Sequence, residues 1–254
     1  RQNAVEELTA DTILLDSLMD YLSEMFDLER IMTRIVYGSA NAKELKTLSL
    51  TINQLHNIKA SLVSVKSKML TGIFEDIDLL DDVNSLIINA ICDEPPLTVR
   101  EGGMIRDGYN AELDSLRDIV NNGKGYLTAV EQSEQEKTGI KKLKIGYNRV
   151  FGYYIEVTNS FKDLVPEHYI RKQTLSNCER YITQELKELE SKVLGAQERI
   201  VRLEFELFSA IREQIAAQLE RVRVTARAVA NLDALCSLAY TAVHNNYTRP
   251  VVDT

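Results

Sequence analysis

Six residues between Ile140 and Arg180 carry groups suited to holding phosphate. They are the cations Arg149, Lys162, Arg171 and Lys172 and the amide donors Asn148 and Asn177. Duplex nucleic acid presents mainly phosphate oxygens to a protein that does not read bases, so it calls for cations and hydrogen-bond donors on a firm platform. The same stretch holds eight Lys and Arg residues against four Asp and Glu, a local balance of +4 in a chain whose formal net charge is −8. Attraction for a polyanion is therefore concentrated in one small basic, aromatic and turn-rich island.

The six positions differ in weight. Asn148 stands equally well as a turn former. Asn177 equally fits the N-cap of a following helix, whose exposed N-terminus would itself favour phosphate. Neighbouring strand residues face opposite sides, so Arg171 and Lys172 are not both expected to reach one ligand. Lys162 reads as a loop lysine, and Lys141, Lys142 and Lys144 as flanking the root of the arm. Phe151, Tyr153, Tyr154 and Tyr169 have faces on which unpaired bases stack. Alternation puts Phe151 and Tyr153 with Ile155 and Val157, which favours a core role.

Other chemistries find little support. Cys92, Cys178 and Cys236 are far apart and form no CxxC, and His56, His168 and His244 are scattered. Neither a zinc site nor a disulfide framework is indicated, and a reducing cytoplasm is the natural setting. Asp76/Asp78 and Asp81/Asp82 lack the glycine and terminal glutamate of a calcium loop and sit where helix starts favour acids. No metal is expected. No nucleophile–base pair stands out, so no catalytic residue is assigned. Apolar runs break every few residues with charge, which excludes a membrane span.

The elements that must position the island follow from periodicity. Residues 1 to about 89 read as several amphipathic helices, one opened by Asp27-Leu28-Glu29-Arg30 and ending near Gly38, and another carrying a stripe from Leu45 to Met69. Glu94-Pro95-Pro96 closes that block. A long helix should begin near Gly108 or Tyr109, with Leu113, Leu116, Val120, Leu127 and Val130 on its apolar face. Its far end, Glu131 to Lys137, is polar all round and should project into solvent or span between masses rather than lie in a core. Leu143, Ile145 and Tyr147, then Phe151, Tyr153, Ile155 and Val157, alternate as a β-hairpin turning at Asn148-Arg149. A further strand includes His168 to Thr174. From Glu179 a return helix carries a heptad seam of Ile182, Leu186, Leu189, Val193, Ala196, Ile200, Leu203 and Leu207, which calls for an antiparallel partner. Two long helices would thus carry a small β-rich tip on an arm of roughly 45 Å, at about 1.5 Å per residue. Val222 to Tyr240 holds another helix that should dock on the first block. Arg249-Pro250-Val251-Val252 reads as the start of a strand, as if the chain were cut from a longer protein.

The stretch Leu143-Lys144-Ile145-Gly146-Tyr147-Asn148-Arg149-Val150-Phe151-Gly152-Tyr153-Tyr154-Ile155 resembles the MutS family of bacterial DNA mismatch-repair proteins. So do Tyr169-Ile170-Arg171-Lys172-Gln173-Thr174-Leu175, Asn177-Cys178-Glu179-Arg180-Tyr181-Ile182, Val99-Arg100-Glu101-Gly102-Gly103 with Gly108-Tyr109-Asn110, and Leu28-Glu29-Arg30. The resemblance covers essentially the whole chain. It implies a mainly α fold in which a helical core with two long antiparallel lever helices carries a small inserted antiparallel β-rich clamp. The core and lever would comprise residues 1–123 and 181–254, and the clamp residues 124–180. The clamp would grip the backbone of double-stranded DNA, with Asn148 and Asn177 at positions where the family's clamp touches it. ATP and magnesium would belong to an ATPase domain beyond Thr254, since no phosphate-cradling G-x-x-x-x-G-K-[ST] occurs here. This stretch is accordingly not expected to be an enzyme and needs no cofactor of its own. The resemblance further implies a homodimer for the full-length protein, a MutL-type partner and a cytoplasmic, nucleoid-associated location. The chain departs from the family at Cys178, usually alanine, and at Gln184, often proline, which should leave the return helix less interrupted. A rival reading is a helical protein–protein interaction or self-association module without direct DNA contact, because a heptad seam also forms intermolecular coiled coils.

Overall fold

Capping chemistry sets the helix boundaries in the computed structural model, which describes residues 1–98, 102–148, 150 and 152–251, with only the backbone at Lys124. Asp11 caps α2 (Thr12–Ser23) by accepting from Leu14 N, just after α1 (Gln2–Ala10). Asp27 does the same for α3 (Leu28–Val36), accepting from Arg30 N. Asn41 and Glu44 form a reciprocal capping box at the start of α4 (Ala42–Ser61). The stripe expected from Leu45 to Met69 is in fact two helices. α4 stops at Ser61, and α5 (Lys68–Asp76) restarts where the Glu7 carboxylate accepts from Lys66 N and Ser67 N at 2.6 and 2.7 Å. α6 is Asp81–Ala90.

Two compact units result. One comprises residues 1–109 with 204–254, and the other Asn110–Leu203. In the first, α9 (Leu219–His244) packs on α1, α2, α3 and α5, as the docking of that helix on the first block required. Its core is apolar, with Leu8, Leu18, Leu45, Leu48, Ile52, Leu55 and Phe208 fully buried. Arg221 grips Asp78 and Asp82 at 2.8 and 2.7 Å, which accounts for acids considered above as cation ligands. Residues 248–251 form no strand.

The second unit begins with α7 (Ala111–Thr138), capped by Asn110. Four strands follow, β1 (Lys144–Asn148), β2 (Gly152–Thr158), β3 (Ile170–Thr174) and β4 (Cys178–Ile182), with a 3-10 turn over Asn159–Leu164. They form one antiparallel sheet in the order β1-β2-β4-β3. The chain is thus mainly helical with a small antiparallel sheet. α8 (Gln184–Ala216) closes the unit, its residues to Leu203 belonging here. α7 and α8 run antiparallel. Tyr126 Oη donates to Glu185 at 2.6 Å, and Arg199 pairs with Glu112 at 3.0 Å. Between these contacts Gly123 faces Val193 so closely that a Cβ at 123 would sit 2.6 Å from Val193 Cγ2. Of the expected seam, Leu186, Val193, Ala196 and Leu203 are buried in this unit.

Two expectations fail. Residues 178–182 are a strand and not the start of the return helix, so Ile182 belongs to the sheet and α8 begins at Gln184. The signal passed over is Thr183, whose Oγ1 accepts from Leu186 N at 3.3 Å. Gln184 is then the first helical residue, where proline fits without interrupting anything, so the departure from the family pattern there has no helix to spare. The polar end of α7 does not project into solvent either. Glu131 accepts from Ile145 N at 2.7 Å, Gln135 donates to Leu143 O at 2.7 Å, and buried Glu134 accepts from Tyr169 Oη. These side chains cover the outer edge of β1, a position where unpaired backbone groups would otherwise invite another strand. Among the described residues, no helix is long and apolar enough to cross a membrane.

Candidate nucleic-acid interface

One face of the sheet is apolar. Ile155 and Val157 of β2 and Tyr181 of β4 join Ile140, Leu143, Tyr169 and Leu186 in a small core, against which Leu127, Ile145, Tyr153, Phe161 and Val165 pack. Tyr153 therefore serves the core, as alternation indicated, and Tyr169 does so as well. Phe151 lies outside the described residues, as do Arg149 and Val99-Arg100-Glu101.

The other face is polar. Register aligns Lys144 with Glu156, Glu156 with Arg180 and Arg180 with Gln173, a row across all four strands. Arg180 bonds Glu156 and Gln173, each at 3.0 Å, and lies 4.3 Å over the Tyr154 ring. Gly146 makes room for that ring, since a Cβ there would meet Tyr154 at 2.7 Å. The guanidinium is thus engaged on every side the sheet offers. Sequence reading did not weigh Arg180 as a site residue, and its partners explain why it does not behave as a free cation.

The register divides the expected contacts between two ends of the sheet. Asn148 pairs with Gly152 at one end, and Thr158 pairs with Cys178 at the other. Gly152 to Thr158 spans about 20 Å at ~3.3 Å per residue. Asn148 holds its turn by accepting from Val150 N at 2.8 Å, so any donation to a ligand would come from Nδ2. Beside this turn Gly152 adopts φ +76°, and the Glu190 carboxylate of α8 occupies the space a Cβ would need. Asn177 lies at the other end, in the exposed turn between β3 and β4. It is no helix cap. Its carbonyl accepts from Asn159 N at 3.1 Å, while Asn159 Nδ2 donates to Ser176 O at 2.9 Å. Lys162 is exposed in the adjoining 3-10 turn.

Arg171 and Lys172 lie on the edge strand β3. A bulge between Arg171 and Gln173 breaks the alternation that was expected to send them to opposite sides, and both are exposed. Arg171 is nevertheless paired with Glu179 at 3.3 Å. The Tyr181 hydroxyl, together with the Arg171 charge, holds the Glu179 carboxyl below the ordinary range against its desolvation. That pairing in turn raises Tyr181, already pushed up by burial, to about 12.

Among the described residues, strand β2 and no helix N-terminus follows the glycine-containing stretch 146–152. No group of three or more His, Cys, Asp or Glu residues able to hold a metal occurs among the described residues.

Comparison with known proteins places this geometry. A family model described as MutS family domain IV matches residues 108–199, close to the bounds of the second unit. Over 254 residues the chain is 48% identical to the DNA mismatch repair protein MutS of Lachnoclostridium phytofermentans, covering 100% of this chain and 27% of that protein. It is 50% identical over 252 residues to the protein of the same description from Ruminiclostridium cellulolyticum, covering 99% and 29%. A third, from Clostridium botulinum strain Loch Maree, is 47% identical over 254 residues, covering 100% and 27%. The chain spans less than a third of the length of these relatives.

Proposed function

The chain belongs to the MutS family, and on that premise we propose that Asn110–Leu203 grips duplex DNA by its sugar-phosphate backbone without reading sequence. The observation that carries this reading is the sheet-bearing unit itself. It presents exposed Lys162, Arg171, Lys172 and Asn177 on a four-stranded platform, in a chain that is otherwise acidic. Such a surface positions a phosphate backbone and offers no arranged set of base-reading groups. Arg149, which follows Asn148 in the sequence, completes the cations assigned to this role.

In a full-length protein the long helices α7 and α8 act as levers that couple the clamp to an ATPase domain. ATP and magnesium bind in that domain, and the residues of this chain carry out no chemistry. Homodimerisation and a MutL-type partner belong to the same proposal, as does a cytoplasmic place on the nucleoid.

Anisotropy titration of this chain with homoduplex and singly mismatched DNA tests the reading. Equal affinities are expected. With four phosphate contacts, the log–log salt slope should lie near −3.6, at about −0.9 per contact. A marked preference for the mismatch, or binding that ignores salt, would contradict it. Sedimentation at several concentrations tests the rival: a persistent dimer indifferent to DNA would favour the self-association module.

A further inference from the structure

The cations of the island differ in what already neutralises them. Arg171 is held by Glu179, and Arg180 by Glu156 and the Tyr154 ring. Lys141, Lys142 and Lys162, like Lys144 and Lys172, are exposed and form no ion pair among the described residues, so position has to distinguish them. A cation already matched to a carboxylate releases little when a phosphate arrives. An unmatched one contributes its full charge.

These three lysines also share a place. Lys141 and Lys142 form the turn that leads from α7 into β1, between the buried residues Ile140 and Leu143. Lys162 follows Phe161, which packs against the same small core as Ile140 and Leu143. Lys144 is level with Glu156, so the chain before it runs toward the end of the sheet where Thr158 meets Cys178. That is the end bearing Asn177 and its link to Asn159, and it is opposite to the Asn148–Gly152 turn. The nearby acids Asp163 and Glu167 are exposed and pair with none of the three, and Glu179, which the Lys162 charge also reaches, is already paired with Arg171.

We infer that Lys141 and Lys142, with Lys162, form the principal phosphate-binding surface of this unit, at the end of the sheet away from the Asn148 turn. The inference rests on the backbone-binding reading above and moves its centre. The hairpin turn, packed under Glu190, is secondary. The Lys141-Lys142 turn, read from sequence as flanking the root of the arm, becomes the part that meets the duplex.

The test compares Lys141→Ala/Lys142→Ala/Lys162→Ala with a charge-matched control, Lys43→Ala/Lys66→Ala/Lys68→Ala, in the same chain. Lys43, Lys66 and Lys68 are exposed in the helical unit. Duplex binding is measured from 50 to 200 mM salt. The first variant should flatten the log–log slope by about 2.7, so the parent loses about 40-fold more affinity than the variant across that range. The control should keep the parent's slope. If the parent binds DNA and the two variants behave alike, or the first keeps the parent's slope, the inference is overturned while the backbone-binding reading stands. If the parent does not bind duplex at all, both fall together. Circular dichroism of each variant shows whether its fold is retained. Charge-retaining Lys141→Arg/Lys142→Arg/Lys162→Arg should recover the parent slope, and failure to do so in a folded protein would also overturn the inference.

Discussion

The two units treat polar groups in contrasting ways. In the helical unit the largest fully buried side chains are all apolar, from Leu8 to Phe208, and they enclose a few buried polar groups, Ser49, Thr51, Thr225 and the Glu204 carboxylate that accepts from Met104 N, with further polar pairs such as Arg221 with Asp78 and Asp82 at the surface. The sheet-bearing unit has a much smaller apolar cluster and places polar groups against it. Glu134 is buried beside Tyr169, Glu131 meets the backbone of β1, and Gln135 meets the backbone of Leu143 just before it. An apolar core loses stability in proportion to what is removed. A polar tie is less forgiving, because deleting one partner leaves the other desolvated and unmatched.

Phe208→Ala should have the largest effect. It opens a cavity among fully buried neighbours and should cost about 3–5 kcal/mol in urea denaturation. A loss below 1 kcal/mol would show that the helical unit collapses around the gap and is not close-packed there.

Tyr169→Phe should come next, at about 1–3 kcal/mol, because it removes the hydroxyl that donates to Glu134. The damage should be local. Amide exchange should quicken in β1 and β4 while α4 keeps its protection, and equal loosening of α4 would break the comparison. Burial alone would raise the Glu134 carboxyl, but bonds from Lys137 and Tyr169 outweigh it and hold the group below its ordinary range. A carboxyl depressed in the folded state contributes stability above its unfolded pKa, and that contribution is lost as pH falls through the folded value. Exchange protection of β1 should therefore decline on acidification below about pH 4.5, near the ordinary carboxylate range, and the decline should be weaker in Tyr169→Phe.

Gly123→Ala should have the smallest effect, a net loss of about 1 kcal/mol. Alanine's better helix propensity offsets part of the clash with Val193. Combining it with Val193→Ala should remove the clash, giving a coupling of more than about 0.5 kcal/mol in a double-mutant cycle. Strict additivity would mean that the close approach of α7 and α8 does not constrain residue 123.

What was legible in the sequence follows the same division. Apolar periodicity and caps located the helices of the first unit, because there the side chains that repeat are the ones that are buried. The β1–β2 hairpin was legible for the same reason, through Ile155 and Val157. β4 was not. Its outward residue Arg180 and its inward residue Glu179 are both charged, so the alternation of a half-buried strand is hidden, and Ile182 happens to fall at helical spacing from Leu186. The polar end of α7 was misread because polarity stood for exposure, whereas Glu131 and Gln135 are spent on a strand edge. Among the candidate site residues, chemistry was legible but grouping was not. Register places Asn148 and Asn177 at opposite ends of the sheet, and the bulge beside Lys172 cannot be read from residue types.

The ion pair of Glu112 with Arg199 joins residues near the two ends of Asn110–Leu203. An insertion whose ends meet costs the surrounding chain far less conformational entropy than a loose loop of the same length, a cost that otherwise grows as the logarithm of that length. Once the sheet-bearing unit has folded, α9 need not find α1, α2, α3 and α5 across a long random coil. Early formation of the smaller unit would thereby shorten the search by which the larger one completes its core.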